Sequence, residues 1–384
     1  MKRHGNLWDG MVTFESLHAA YLRARKGKRF LPEVLEFEAR RERNLGRLLD
    51  ELTSGSYHPG PYRSFTIYDP KERVISAAPF RDRVVHHALV AAIEPVFEPT
   101  FIHDSYANRK GKGTHAALRR YQAWCRKYPY ALVCDIEKFF PSLDHAVLKA
   151  LLRRKLKDAR VLDLCDSIID AANPQPAVNR WFPGDDLFTP GERRRGLPIG
   201  NLTSQFWQNV YLNPLDHFVK EGLGCVAYLR YVDDFVLLAH DKATLGEWRE
   251  AIIGFLRTLR LAPNARRFGL CRTADGVNWL GFLVSPDDCK VKREKRVFFR
   301  RRLRGAWEAA RRGLRPFGDV TVMVRSWVAH AAHARSAGLR RHLLTRWPPW
   351  LGGGAPRRVS RVAGRFLEQQ SQELPLRESE QESS

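Results

Sequence analysis

The sequence predicts a mixed α/β (α+β) fold built from two or three packed subdomains. Three observations carry that prediction. The 384 residues are enough for a large core. Long stretches space their apolar residues at three and four, the period of an amphipathic helix. Between them stand short β-favouring runs bounded by Gly, Pro and Asp, which read as strands.

Residues 12–55 contain "FESLHAAYLRARKGKRF" and "VLEFEARRERNLGRLLDEL", both with helical spacing and dense charge between apolar positions. "SGSYHPGPY" (54–62) is a Gly/Pro/Ser break. "RSFTIYDPKERVISA" alternates as two strands around a turn at "DPKE", and "FRDRVVHHALVAAIEPVF" returns to helical spacing. "YALVCDIEKFF" (130–140) reads as a buried strand running into a turn, with helices to about 172. Residues 173–195 are rich in Pro, Gly and charge and read as a long loop. "GLPIGNLTSQFWQNVYLNPLDHFV" is a loop feeding a helix, followed by a strand pair in "CVAYLRYVDDFVLLAH" (225–240). The helix "KATLGEWREAIIGFLRTLRL" and one further strand, "VNWLGFLVSP", come next. Residues 290–345 are strongly basic and mostly helical. The last twenty are polar and net acidic, the composition of a disordered tail.

A net charge of +23, from 65 Lys and Arg against 42 Asp and Glu, favours polyanions: nucleic acid or an anionic membrane surface. No apolar run reaches the roughly 18 residues that a spanning helix needs. The basic start "MKRHGNLWDG" lacks the apolar core of a secretory signal. These features point to a cytoplasmic nucleic-acid binder with no membrane partner. The six cysteines form no CxxC pair and the 13 histidines no HExxH, which argues against a zinc ribbon or a disulfide framework. His86 and His87, beside "ALVAAI", read as helix surface and packing.

Asp233 and Asp234 stand side by side in an apolar run. Burying carboxylates without partners is costly, and neighbours on a continuous strand face opposite ways. A hairpin turn removes the second objection. Asp135, at the end of an earlier strand, supplies a third carboxylate. This order of strands, helices and aspartates is the pattern of a two-metal phosphoryl-transfer palm. Attack of a 3′-hydroxyl on a nucleotide α-phosphate uses two Mg²⁺ about 3.5–4 Å apart, holding the attacking and leaving oxygens. Mg²⁺ prefers oxygen ligands, so Asp135 and Asp233 are natural bridging ligands, with Asp234 adding negative potential or contacting one metal.

"YVDD" (231–234) resembles the YxDD box of reverse transcriptases. "VCDIEKFF" resembles their motif A, "WLGF" (279–282) their primer-grip strand, and "DPKERVISAAPFRDRVVHHAL" and "SYANRKGKGTHAAL" their fingers motifs. The likeness runs over residues 1–341 and implies a right-hand polymerase. Residues 1–60 would be an N-terminal helical region, 61–125 fingers, 126–172 palm with motif A, and 173–195 an insertion. Residues 196–290 would complete a palm of antiparallel sheet and helices, 291–345 a basic helical thumb, and 346–384 the tail. Within "GLPIGNLTSQ", Ile199 stands where most such enzymes carry Gln. With Gly200, Ser204 and Gln205 it forms the IGxxxSQ pattern of reverse transcriptases from diversity-generating retroelements. Intron maturases are similar in the fingers but carry further regions, for which the residues after 345 leave no room.

The resemblance implies roles. Lys71 and Arg73 would meet the triphosphate, and Arg81, Ile199, Gly200 and Gln205 would line the nucleotide site. Phe140 would be the steric gate that fills the space of a ribose 2′-hydroxyl. Arg109, Lys112, Trp279, Gly281, Lys292, Arg293, Arg300 and Arg301 would face template and primer. The implied partners are template RNA, primer or cDNA, dNTPs and a small basic accessory variability protein. Ile199 cannot hydrogen-bond as Gln does, so copying is expected to be error-prone, above all opposite adenine. In "LAPNARR", Ala265 replaces a Lys that would serve as leaving-group acid; Arg266 is near but does not readily give up a proton. Two rivals remain: a related reverse transcriptase of phage defence or intron mobility, and an inert RNA-binding scaffold.

Other features have plainer readings. "GKGT" (111–114) is not a P-loop, which requires GxxxxGK[ST] after a strand. Asp185 and Asp186 read as a turn-capping pair, and Asp144 and Glu137 as solvent-facing or helix-capping. His330 and His333 read as packing and surface rather than chemistry. The eight Lys and Arg of 292–304, interleaved with Val297, Phe298, Phe299 and Leu303, read as a phosphate grip.

Overall fold

The computed structural model describes residues 2–68, 72–171, 178 and 180–347. The chain divides into two compact units: residues 1–117 with 128–271, and residues 118–127 with those from 272 on.

The first unit opens with helices α1 (Trp8–Met11), α2 (Phe14–Arg25), α3 (Pro32–Ala39) and α4 (Arg41–Ser54). Thr13 caps α2 by accepting from the Ser16 N–H, and Gly55 closes α4 in the left-handed conformation that glycine adopts freely. Strands β1 (Arg63–Tyr68) and β2 (Glu72–Ala77) pair antiparallel from Arg63↔Ala77 to Tyr68↔Glu72, as their alternation predicts. Helix α5 (Phe80–Phe97) buries Val84, Val85 and Leu89 in a core shared with Leu17 and Tyr21 of α2 and with Leu45, Leu48 and Leu52 of α4. His86 is buried in that core and His87 half-buried, the packing role expected of them.

Helix α6 (Thr114–Cys125) crosses the division between the units. The first unit continues with β3 (Tyr130–Cys134), α7 (Phe139–Ser142), α8 (His145–Lys155), α9 (Ala159–Asp170), α10 (Thr189–Glu192) and α11 (Leu202–His217). After these come β4 (Tyr228–Tyr231), β5 (Asp234–Ala239), α12 (Lys242–Thr258) and β6 (Gly269–Arg272). The sheet runs β4-β5-β3-β6, with β5 antiparallel to both β4 and β3. Its two central strands are nearly sealed, from Leu132 through Leu238, which explains why they read as unbroken apolar runs. Residues 173–195 are not all loop: Pro190 stands in the first turn of α10, and Asp186 caps the turn by accepting from the N–H groups of Phe188 and Thr189. Asp185 accepts from the Phe182 N–H and pairs with Arg193. Asp144 caps α8 and is buried between Arg193 and Arg260 rather than facing solvent. Glu137 pairs with Arg180.

In the second unit the single strand expected in "VNWLGFLVSP" is a hairpin. Strands β7 (Val277–Trp279) and β8 (Phe282–Val284) flank Leu280 and Gly281, both at positive φ, and β9 (Cys289–Val291) adds a third strand. Gly281 has φ +86, a conformation that L side chains adopt only with strain, so this turn favours glycine. Residues 272–290 cluster with the basic helices rather than with the four-stranded sheet. Those helices are α13 (Arg293–Arg311), α14 (Phe317–Ala331) and α15 (Ala337–Arg346). Phe299 of α13 stacks on Trp327 of α14 at 4.2 Å, and His330 packs on Phe282. The tail from 348 on lies outside the described residues. Among those described, no helix is long and apolar enough to cross a membrane.

Candidate active site

Tyr231 pairs with Asp234 across the β4–β5 hairpin, so its loop is two residues long: Val232 and Asp233. Asp233 therefore sits in the turn while Asp234 begins β5, which lets adjacent carboxylates serve one site. The β3–β5 register ends at Cys134↔Phe235. The next residue, Asp135, stands off the end of β3 beside Asp234, 7% exposed. All three predicted aspartates are thus brought to one end of the sheet.

Two residues unforeseen in the sequence hold them. The segment after α12 runs alongside Asp135: Glu137 N–H donates to the Ala262 carbonyl and Asn264 N–H to the Asp135 carbonyl. Asn264 Nδ2 then donates to Asp135 Oδ2 at 2.7 Å. Arg267 donates through Nη1 to Asp135 Oδ1 at 2.9 Å and through Nη2 to Asp234 Oδ1 at 3.1 Å. Residues 265–267 form a 3₁₀ turn, in which positions three apart fall on the same side. That is why Asn264 and Arg267 reach the aspartates. It is also the signal by which "NARR" could have revealed them.

Burial and the nearby charge of Asp135 push the Asp233 carboxyl up to about 6, against Arg267 and Arg73. Asp234 is pushed up to about 7, by burial first and then by the charges of Asp233 and Asp135, with Arg267 opposing. Among the described residues no group of three or more His, Cys, Asp or Glu stands at metal-holding spacing; the Arg267 guanidinium bridges two of the three carboxylates. The donor set nevertheless fits hard divalent cations. It consists of carboxylate oxygens that raise one another's proton affinity, an excess of negative charge that cations would relieve.

Around this cluster, Arg73 is exposed on β2, and its charge reaches Asp233. Lys71 lies outside the described residues. Phe140, half-buried, packs on Phe139 and accepts at its carbonyl from the Leu197 N–H. The Ile199 carbonyl accepts from Ser76 N–H of β2, and the Asn201 side chain accepts from the Ala78 N–H, tying this loop to the β1–β2 hairpin. Gly200 has φ +110, and a Cβ there would press on Ile75 at 3.2 Å. Gln205 lies in the first turn of α11. Arg81 is held by Glu51 and Asp82 rather than by the aspartate cluster.

Arg109 is turned inward, pairing with Glu98 and donating to the carbonyls of Ile102 and Ser105; it anchors a loop. Lys112 donates to the His103 carbonyl. In the second unit Trp279 is 1% exposed and packs edge-on against Tyr121, so it supports its strand from within. Gly281 forms the turn described above. Lys292 precedes α13 at its N-cap position, and Arg293, Arg300 and Arg301 are exposed on the helix, opposite the buried Phe299, Leu303 and Ala306.

Residues 68–284 match the model of the family described as "Reverse transcriptase (RNA-dependent DNA polymerase)". The chain is 27% identical over 286 residues to Protein YkfC of Escherichia coli K12, covering 64% of this chain and 72% of that protein. It is 25% identical over 183 residues to the group II intron-encoded protein LtrA of Lactococcus lactis, covering 47% of this chain and 29% of that protein. The chain thus spans under a third of the intron-encoded relative. Among solved structures, apo telomerase from Candida tropicalis aligns with TM-score 0.44 and 12% identity, over 61% of this chain and 49% of that one.

Proposed function

We propose, from the premise that this chain belongs to the reverse transcriptase (RNA-dependent DNA polymerase) family, that it is an active RNA-directed DNA polymerase working in the cytoplasm. Family membership carries the right-hand polymerase fold. The observation that supports activity best is the meeting of Asp135, Asp233 and Asp234 at the end of one sheet. A scaffold that had lost catalysis would have no reason to keep three carboxylates at such electrostatic cost.

Reverse transcriptase domains generally use divalent metal ions. Here Asp135, Asp233 and Asp234 would hold two Mg²⁺, which when bound supply Lewis-acid stabilisation of the attacking and leaving oxygens. Arg267 must then give up its hold on Asp135 and Asp234. Lys71 and Arg73 bind the triphosphate of the incoming dNTP, and the Phe140 ring excludes a ribose 2′-hydroxyl. The primer 3′-oxygen attacks the α-phosphate, the bond to the bridging oxygen breaks, and pyrophosphate leaves. With Ala265 at the expected acid position, the leaving-group proton comes from another source.

Ile199, Gly200, Ser204 and Gln205 support the finer reading: error-prone copying of a template RNA in a diversity-generating retroelement, with a small basic accessory protein. The likeness to an intron-encoded protein favours a second reading, a related reverse transcriptase of intron mobility or phage defence. Primer extension with Mg²⁺ on an RNA template, comparing wild type with Asp233→Asn, tests activity. Extension by wild type and none by the variant is expected. A wild type that extends nothing, with or without its accessory protein, would revive the scaffold reading.

A further inference from the structure

Three residues before Asp233, Arg230 lies in the core with 0% exposure. All five of its N–H donors are used. Nε donates to Asp216 Oδ1 at 2.7 Å and Nη2 to Asp216 Oδ2 at 2.6 Å, a bidentate pair. Nη2 also donates to Ser105 Oγ at 3.3 Å and Nη1 to Asn209 Oδ1 at 3.3 Å. The fifth bond leaves the core: Nη1 donates to the Val232 carbonyl, in the hairpin loop itself, at 3.1 Å. Asp216 is in turn fixed by the Tyr228 hydroxyl at 2.7 Å.

Val232 has φ +60. A β-branched residue is an outlier there and persists only where its surroundings over-determine it. Relaxation of Val232 to negative φ would rotate the next peptide and swing Asp233 away from Asp135. The bond from Arg230 opposes that rotation at the one carbonyl that would have to turn.

We infer that Arg230 is a positioning residue for the aspartate pair: anchored on Asp216, it holds the strained Val232 turn and so sets where Asp233 and Asp234 meet Asp135. This rests on the reading above, in which those aspartates hold divalent cations. A buried ion pair that merely stabilised the core would have no need of a donor aimed at the loop.

The test uses the full chain and the variants Arg230→Lys, Val232→Gly and both together. Lysine keeps the charge but has one nitrogen, which cannot serve Asp216 and Val232 in the arginine geometry. Two readouts apply: hydrogen exchange of the peptide spanning 228–236 without metal, and Mn²⁺ binding followed by electron paramagnetic resonance. In Arg230→Lys, exchange at 232–234 speeds up, and Mn²⁺ affinity falls about 10-fold or more, the scale of losing an outer-shell partner. Adding Val232→Gly restores both, because glycine keeps positive φ without strain. A folded Arg230→Lys with wild-type exchange, or a double variant no better than it, overturns the inference. Should Arg230→Lys not fold, Val232→Gly alone decides. It raises the melting temperature and keeps slow exchange if Arg230 holds the turn; faster exchange at 232–234 overturns the inference. A wild type that binds no Mn²⁺ sinks the metal reading, while hydrogen exchange still judges the hold on the turn.

Discussion

Arg267 bridges Asp135 and Asp234, 2.9 Å from one carboxylate and 3.1 Å from the other. One guanidinium thus neutralises part of the carboxylate cluster, and under the proposed two-metal reading metal ions compete with it. Replacing Arg267 with Gln has two opposite effects. Without metal, the carboxylates lose a counter-charge and the protein is destabilised by about 1 kcal/mol, discounted because Arg267 is 45% exposed. With metal, the competitor is gone and Mn²⁺ affinity rises several-fold. Melting curves with and without Mn²⁺ check both, and lower Mn²⁺ affinity in Arg267→Gln would refute the competition.

The aspartate pair also makes the metal-free protein sensitive to pH. Asp233 and Asp234 are raised to about 6 and about 7, so the fold disfavours their charged forms. A raised carboxyl contributes stability that is fully present below its unfolded value near 4 and is lost as pH rises through the folded value. Stability from this pair therefore declines between about pH 4 and 7. Asp234→Asn should stabilise the metal-free protein at about pH 8, on the order of 2 kcal/mol, less at about pH 5, and hardly at or below about pH 4. Metal should raise the melting temperature of wild type at the higher pH and much less at the lower. Equal effects of Asp234→Asn at both would contradict the shifts.

The hairpin and Asp135 were legible because an apolar, β-favouring run constrains register, and register places a residue one step beyond a strand. Arg267 is legible only where "NARR" is read as a 3₁₀ turn, because that turn positions Asn264 and Arg267, and not Arg266, toward Asp135. The β7–β8 hairpin reads as one strand in the sequence because Leu280 and Gly281 interrupt "NWLGFLV" without a polar residue to mark the turn. Arg109 and Trp279 show the opposite limit: a basic or aromatic residue in a fitting motif can be turned inward by bonds that only tertiary structure reveals.

Ile199 offers a test of copying fidelity. Its carbonyl is tied to the Ser76 N–H, so Ile199→Gln changes the side chain while that backbone anchor persists. A hydrogen bond is worth about 1 kcal/mol net, roughly fivefold in selection. Misincorporation opposite template adenine should fall by about that factor in single-nucleotide extension assays. An unchanged error rate would remove the link between this position and fidelity.

The exposed face of α13 offers a test of the nucleic-acid grip. Arg300 and Arg301 stand on it and share a cleft with Arg304 and Arg346, while Phe299 and Leu303 are buried on the other side. Each arginine that neutralises a phosphate releases counterions, contributing about 0.9 to the slope of log affinity against log salt. Replacing Arg300 and Arg301 with Ala should weaken binding of an RNA–DNA duplex uniformly across sequences and reduce that slope by about 1 to 2. Because both side chains are exposed, stability should change by no more than about 0.5 kcal/mol. Fluorescence anisotropy over a salt series measures the slope. An unchanged slope with intact fold would show that phosphates are held elsewhere.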